Sequence, residues 1–248
     1  MFFISAPFGN YLKFKNAKRV TGTWTVKPRP GLFKQLIKTL RYVKTDHGRV
    51  WRNQIGLRNP GLQHGMFKTS YDDVLSIAAI DKDDWTIVQK MISPDRNIEL
   101  NISCPNLGSH EDTTTFEGFD LFPKIMRSDW CIVKVPPTSS NSLIDKIADL
   151  GYNKIHASNT LYTPQGGLSG RILTTYTLQL IRYIKENHPH IEVIAGGGVS
   201  QKWHAEYYLD EGADHISIGT ACFTPWKVKS ILNAKKTIQD DTEINIIT

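Results

Sequence analysis

From Cys131 onward the chain repeats one unit: a short apolar run, then an amphipathic stretch, joined by brief turns. Residues 131–135 and 191–195 read as buried strands, and 154–157 and 215–218 as further short strands. Between and after them, 142–150, 173–187, 201–211 and 225–236 read as helices. The first of these carries apolar residues at 143, 144, 147, 148 and 150 and closes at Gly151. Strands alternating with helices make a parallel sheet. Four earlier runs, 2–5, 19–25, 74–79 and 98–101, bring the strands to eight within 248 residues, which fits a single (β/α)8 TIM barrel domain spanning 1–248. An open doubly wound sheet is the alternative, but no G-x-G-x-x-G follows the first strand. Residues 31–61 are less regular, and 49–55 reads as an extra strand or hairpin above the barrel.

Parallel barrels gather their chemistry at the C-terminal ends of the strands. Those ends carry Asn101-Ile102-Ser103-Cys104-Pro105-Asn106, Lys134, Ser158-Asn159-Thr160, Gly196-Gly197-Gly198 and Gly219-Thr220. Amides read the donor and acceptor edge of a flat heterocycle, and a thiolate can take a proton. Two glycine loops after successive strands let a backbone close on an anion. Gln165–Gly170 adds a loop able to cover a phosphate. Lys134 stands inside an apolar strand, where a cation needs an anionic partner. His156 reads as a packed, hydrogen-bonded histidine rather than a base, and His188 and His190 flank Pro189 in what reads as an exposed loop.

The formal net charge is +6, with Lys13, Lys15, Lys18, Arg19, Lys27 and Arg29 concentrated near the N-terminus. Such an excess favours anionic ligands without establishing a nucleic-acid partner. Cys104, Cys131 and Cys222 are too scattered for a disulfide framework or a zinc site, which points to a reducing compartment. Residues 1–4 are too short for a signal-peptide core, no apolar run reaches the ~20 residues of a membrane span, and no H-E-x-x-H or similar metal set is present.

Taken together, the motifs resemble the dihydroorotate dehydrogenase family, in particular its soluble, cysteine-using branch. The resemblance runs from about residue 3 to 228. Its most specific pieces are E-L-N-I-S-C-P-N at 99–106, V-K-V-P-P at 133–137, S-N-T at 158–160, G-G-L-S-G at 166–170, A-G-G-G-V at 195–199 and I-G-T-A at 218–221. It implies FMN at the C-terminal face of the barrel, its phosphate held by Gly197, Gly198, Gly219 and Thr220 with help from Gly167. It implies Lys134 against the flavin ring, a dihydropyrimidine bound by Asn53, Asn101, Asn106, Asn159 and Thr160, and Cys104 as the base that takes a proton from C5. A homodimer in the cytoplasm and a role in pyrimidine biosynthesis also follow from the resemblance, but the electron acceptor does not. The family's lysine for the substrate carboxylate is absent: Asn10 and Val20 stand at the matching positions. Two further readings share the fold, a uracil-ring reductase of the dihydropyrimidine dehydrogenase or dihydrouridine synthase type and a flavin-binding protein without turnover.

Overall fold

The computed structural model describes residues 1–46, 48–81, 83–103 and 118–237. Its strands are β1 (Phe2–Ile4), β2 (Ala17–Trp24), β3 (Arg41–Thr45), β4 (Gly48–Asn53), β5 (Val74–Ile77), β6 (Ile98–Asn101), β7 (Cys131–Val135), β8 (Lys154–Ala157), β9 (Gly167–Ser169), β10 (Glu192–Ala195) and β11 (His215–Ile218). Its helices are α1 (Leu32–Thr39), α2 (Leu62–Lys68), α3 (Asp84–Met91), α4 (Phe122–Ile125), α5 (Asn141–Asp149), α6 (Thr174–Asn187), α7 (Lys202–Asp210) and α8 (Pro225–Ile231). Eight strands close into an all-parallel barrel in the order β1-β11-β10-β8-β7-β6-β5-β2. The seam is β1 against β11, with Phe2 beside Ile216 and Ile4 beside Ile218.

Period-two alternation sorts the strand residues between two cores. Outward residues such as Ile77, Leu100, Val133, Ile155 and Ile218 join the helices in the main apolar cluster. On α6 the buried positions Thr177, Leu180, Ile181 and Ile184 recur at helical spacing and meet that cluster. Inward residues Phe3, Val20, Val74, Ile132 and Ile194 form a second cluster that floors the barrel. Two residues further along these strands the interior turns polar, as Phe3 gives way to Ser5, Val74 to Ser76 and Ile132 to Lys134. The sequence therefore builds an apolar floor and a polar chamber above it.

The expected extra strand at 49–55 is the second arm of an antiparallel hairpin, β3–β4. Part of the 165–170 loop joins it as β9, with Asn53 beside Gly167 and Trp51 beside Ser169. That segment pairs as a roof strand rather than remaining a free flap. The last helix stops at Ile231, short of the expected residue 236, and the Asn233 amide donates to the Lys229 carbonyl at 3.2 Å there. His188 is half-buried rather than exposed, with Nε2 2.7 Å from Asp145 Oδ1.

Candidate active site

A cavity of about 650 Å³ opens at the C-terminal ends of the barrel strands, within the size of small-molecule and cofactor sites. Among the sequence-derived candidates, Asn53, Asn101, Lys134, Asn159, Thr160, Gly197, Gly198, Gly219 and Thr220 all line it. Gly167 sits in β9 beside Asn53, and Ser169 and Gly170 from the same segment form the wall. Cys104 and Asn106 lie outside the described residues. Among the described residues no cluster of His, Cys, Asp and Glu could hold a metal ion.

Lys134 projects from β7 into the polar chamber and is only 3 % exposed. Its one hydrogen bond among the described residues is long, Nζ to Ser5 Oγ at 3.5 Å. Glu99 lies on neighbouring β6 and is fully buried. Its Oε1 accepts from Ser76 Oγ at 2.7 Å, and its Oε2 is 2.6 Å from His156 Nδ1. Burial alone would raise the Glu99 pKa. The Lys134 charge, the His156 contacts and the Ser76 hydroxyl outweigh that and hold it at about 2. For His156, burial and then Lys134 lower the pKa more than Glu99 raises it. At neutral pH the pair is a carboxylate receiving Nδ1–H from a neutral imidazole. The packed, hydrogen-bonded histidine read from the sequence is this one, and its ring also borders the cavity.

The amides are fixed by a continuous hydrogen-bond chain. Ser76 Oγ lies 3.1 Å from Thr23 Oγ1, which accepts from Asn101 Nδ2 at 2.9 Å. Asn101 Oδ1 accepts from Ser103 N at 3.1 Å and Ser103 Oγ at 2.6 Å. Asn159 Nδ2 donates to Ser103 Oγ at 2.8 Å, and Thr160 Oγ1 to Asn159 Oδ1 at 3.2 Å. Linked groups of this kind hold their orientation before a ligand arrives. Asn53 accepts from Ile55 N through Oδ1 at 3.3 Å, which leaves its Nδ2 without a partner among the described residues.

The glycine side of the cavity suits a phosphate. Gly197 and Gly198 have φ of +75° and +77°, and a Cβ on Gly198 would stand 2.5 Å from Thr174 Oγ1. A Cβ on Gly219 would meet nothing within 4 Å, so that backbone faces open space. Ser217 Oγ, also on the cavity wall, is buried without a partner among the described residues. Exposed backbone beside an unsatisfied hydroxyl is what an anionic oxygen cluster completes. Among the described residues the cavity is lined by Lys134, Arg58 and Lys68 and by no Asp or Glu.

Sequence reasoning missed Glu99, Ser217 and Arg58. Glu99 carried the same signal as Lys134, a charge in an apolar strand. Arg58 sits in the turn-forming run Gly56-Leu57-Arg58-Asn59-Pro60, where nothing local shows that the loop folds over the barrel mouth.

A parallel (β/α)8 barrel with cations, glycine loops and amides lining one cavity at its strand ends has the form of a barrel enzyme that takes a polar small molecule there. The dihydroorotate dehydrogenase family model matches residues 8–238. The chain is 27% identical over 241 residues to the dihydroorotate dehydrogenase B (NAD(+)) catalytic subunit of Malacoplasma penetrans, covering 84% of this chain and 78% of that one. It is 28% identical over 245 residues to the protein of that name from Thermotoga petrophila, covering 88% of each. A crystal structure of DHODH from Eimeria tenella in complex with ferulenol superposes with a TM-score of 0.73 at 16% identity, covering 93% of this chain and 80% of that chain, and so shares the fold. The chain belongs to the dihydroorotate dehydrogenase family. It is an oxidoreductase of that type, a class that acts on CH–CH bonds.

Proposed function

We propose that the protein binds FMN and oxidises dihydroorotate to orotate, as a homodimer in the cytoplasm. The observation that carries the reading is Lys134, a buried cation whose one hydrogen bond among the described residues is long, on a strand between those that lead to Asn101 and Asn159, in a cavity the glycine loops also line. FMN, when bound, supplies the hydride acceptor. Gly197, Gly198, Gly219 and Thr220, with help from Gly167, hold its phosphate through backbone N–H groups. Lys134 offers a fixed positive charge to the ring as electrons arrive. Asn53, Asn101, Asn159 and Thr160, with Asn106, hold the pyrimidine through its amide edges. Cys104 follows Asn101 by three residues and takes the proton from C5. A thiol has an ordinary pKa near ~8.5, so this step gains as pH rises toward that value.

Support comes from the preorganised amides, the unsatisfied Ser217 hydroxyl and the family membership. The test is the visible spectrum of the purified protein under anaerobic conditions. FMN should be released on denaturation in near-stoichiometric amount, and dihydroorotate should bleach the bound flavin. A protein that is colourless and does not take up FMN, or a flavin that dihydroorotate leaves oxidised, overturns the reading. The same preparation, supplied in turn with fumarate, NAD+ or a quinone, reports which oxidant collects the electrons.

A further inference from the structure

We propose that Arg58 is the residue that reads the acidic group of the substrate; this rests on the function proposed above. Neither Asn10 nor Val20 brings a charge to the cavity. Asn10 is turned to the backbone of Gly22, accepting its N–H at 2.9 Å, and Val20 is buried in the apolar floor. Lys18 points away, its Nζ donating to the Asp72 carbonyl. The cavity nevertheless carries a half-buried guanidinium that forms no ion pair among the described residues. Its only contact there is Arg58 Nη1 to the Pro30 carbonyl, at 3.4 Å.

The loop that bears it is rigidly hung. Arg29 and Asn59 exchange backbone hydrogen bonds at 2.7 and 2.8 Å. Asn59 Oδ1 accepts from Thr25 N at 3.2 Å and Gly61 N at 2.9 Å, and its Nδ2 donates to the Leu57 carbonyl at 2.7 Å. Leu57 takes φ of +54°, a conformation kept only where the surroundings enforce it. Arg58 thus rides on a fixed lip beside Asn53 and leans on the chain just beyond β2. The glycines that follow β10 are three strands round the barrel. A cofactor with its phosphate on those glycines and its ring at Lys134 leaves Arg58 for a second, separate anion. A guanidinium in the same cavity as an amide Nδ2 that has no partner among the described residues fits a planar ring bearing a carboxylate, which it can bind through two parallel N–H donors. Lys68 is exposed at the end of α2, with its Nζ 5.7 Å from the Phe67 ring centroid, and does not offer that geometry.

The experiment titrates the FMN-loaded protein with orotate and with methyl orotate, reading the perturbation of the flavin spectrum rather than turnover. The parent should prefer the acid. Arg58→Gln should keep its FMN and lose roughly 10- to 150-fold in orotate affinity, the range for a charge-assisted hydrogen bond, with methyl orotate unchanged. Arg58→Lys should recover part of the loss, and Lys229→Gln, at an exposed position on α8 outside the cavity lining, should bind as the parent does. If the parent prefers orotate to its ester and Arg58→Gln keeps that preference, the assignment to Arg58 is wrong while the proposed function stands. A parent that binds neither compound overturns the proposed function and this assignment with it. Equal loss of acid and ester in Arg58→Gln also refutes it, because the loop rather than the charge would then be responsible.

Discussion

Replacing Glu99 with Gln tests whether the barrel interior is organised around a compensated charge. The substitution keeps the shape of the side chain and a carbonyl oxygen for the Ser76 hydroxyl, while it removes the negative charge facing Lys134. A carboxyl held at about 2 in the fold against 4.5 ordinarily contributes about 3 kcal/mol at neutral pH. Removing one member of a buried charged set typically costs ~3–5 kcal/mol, because the other member stays behind unpaired. Both routes predict that Glu99→Gln loses roughly 3–5 kcal/mol, read by urea unfolding at pH 7.5 on FMN-free parent and variant. The sign with pH follows from the lowered value. The contribution is complete above about 4.5 and disappears as pH falls toward about 2. His156 acts in the same direction from higher pH, since the unfolded imidazole takes a proton below about 6.5 and the folded one resists it. The parent should therefore weaken from about pH 6.5 downward and more steeply below 4.5, and Glu99→Gln should lack the lower part of that slope. A variant within about 1 kcal/mol of the parent, or one with the same acid profile below pH 4.5, refutes the argument.

Lys134→Ala should retain FMN and slow substrate-driven flavin reduction by on the order of ten- to a thousand-fold in stopped-flow absorbance, the scale of losing one preorganised charge contact. An unchanged rate would remove Lys134 from the chemistry. Cys104→Ala should keep the flavin and lose about a hundred- to ten-thousand-fold in its reduction by dihydroorotate, whereas Cys104→Ser should keep some activity displaced to higher pH. Undiminished reduction by Cys104→Ala would assign the proton to another group. Gly198→Ala should cost roughly 1–3 kcal/mol, since its φ of +77° suits only glycine well and the new methyl meets Thr174 Oγ1. It should also weaken FMN binding measured by fluorescence quenching, and full affinity there would remove Gly198 from the phosphate site.

The second half of the barrel was legible because its local signals agree. Strands β7 and β10 are mostly apolar runs, β8 and β11 are short strands at the same spacing between helices, and α5, α6 and α7 have recognisable periods and stops. The first half was harder for physical reasons. Helix α1 has no fully buried residue and α4 is four residues long, so neither leaves a periodic trace. The three-residue strand β9 exists only because β4 offers it an edge. At the site, Asn101, Lys134, Asn159 and the glycines stand at strand ends that the sequence delimits. Arg58 is brought to the cavity by bonds from Thr25 and Arg29, some thirty residues earlier in the chain. Ser217 looks like Ser76 in the sequence, and only the fold shows that Ser76 bonds Glu99 while Ser217 Oγ is buried without a partner among the described residues.

The seam of the barrel has a consequence for how the protein comes into being. Strand β1 is completed by Ile216, Ser217 and Ile218, so its outer edge has no barrel partner until that distant segment has left the ribosome. Gly219 and Thr220 of the glycine cradle are the very next residues. A nascent chain therefore carries an unpaired parallel edge, the kind of surface that invites association with other chains, through most of its synthesis. The event that seals that edge also brings Gly219 and Thr220 to the cavity wall. Under the function proposed above, capture of the cofactor would mark a chain whose ring has closed.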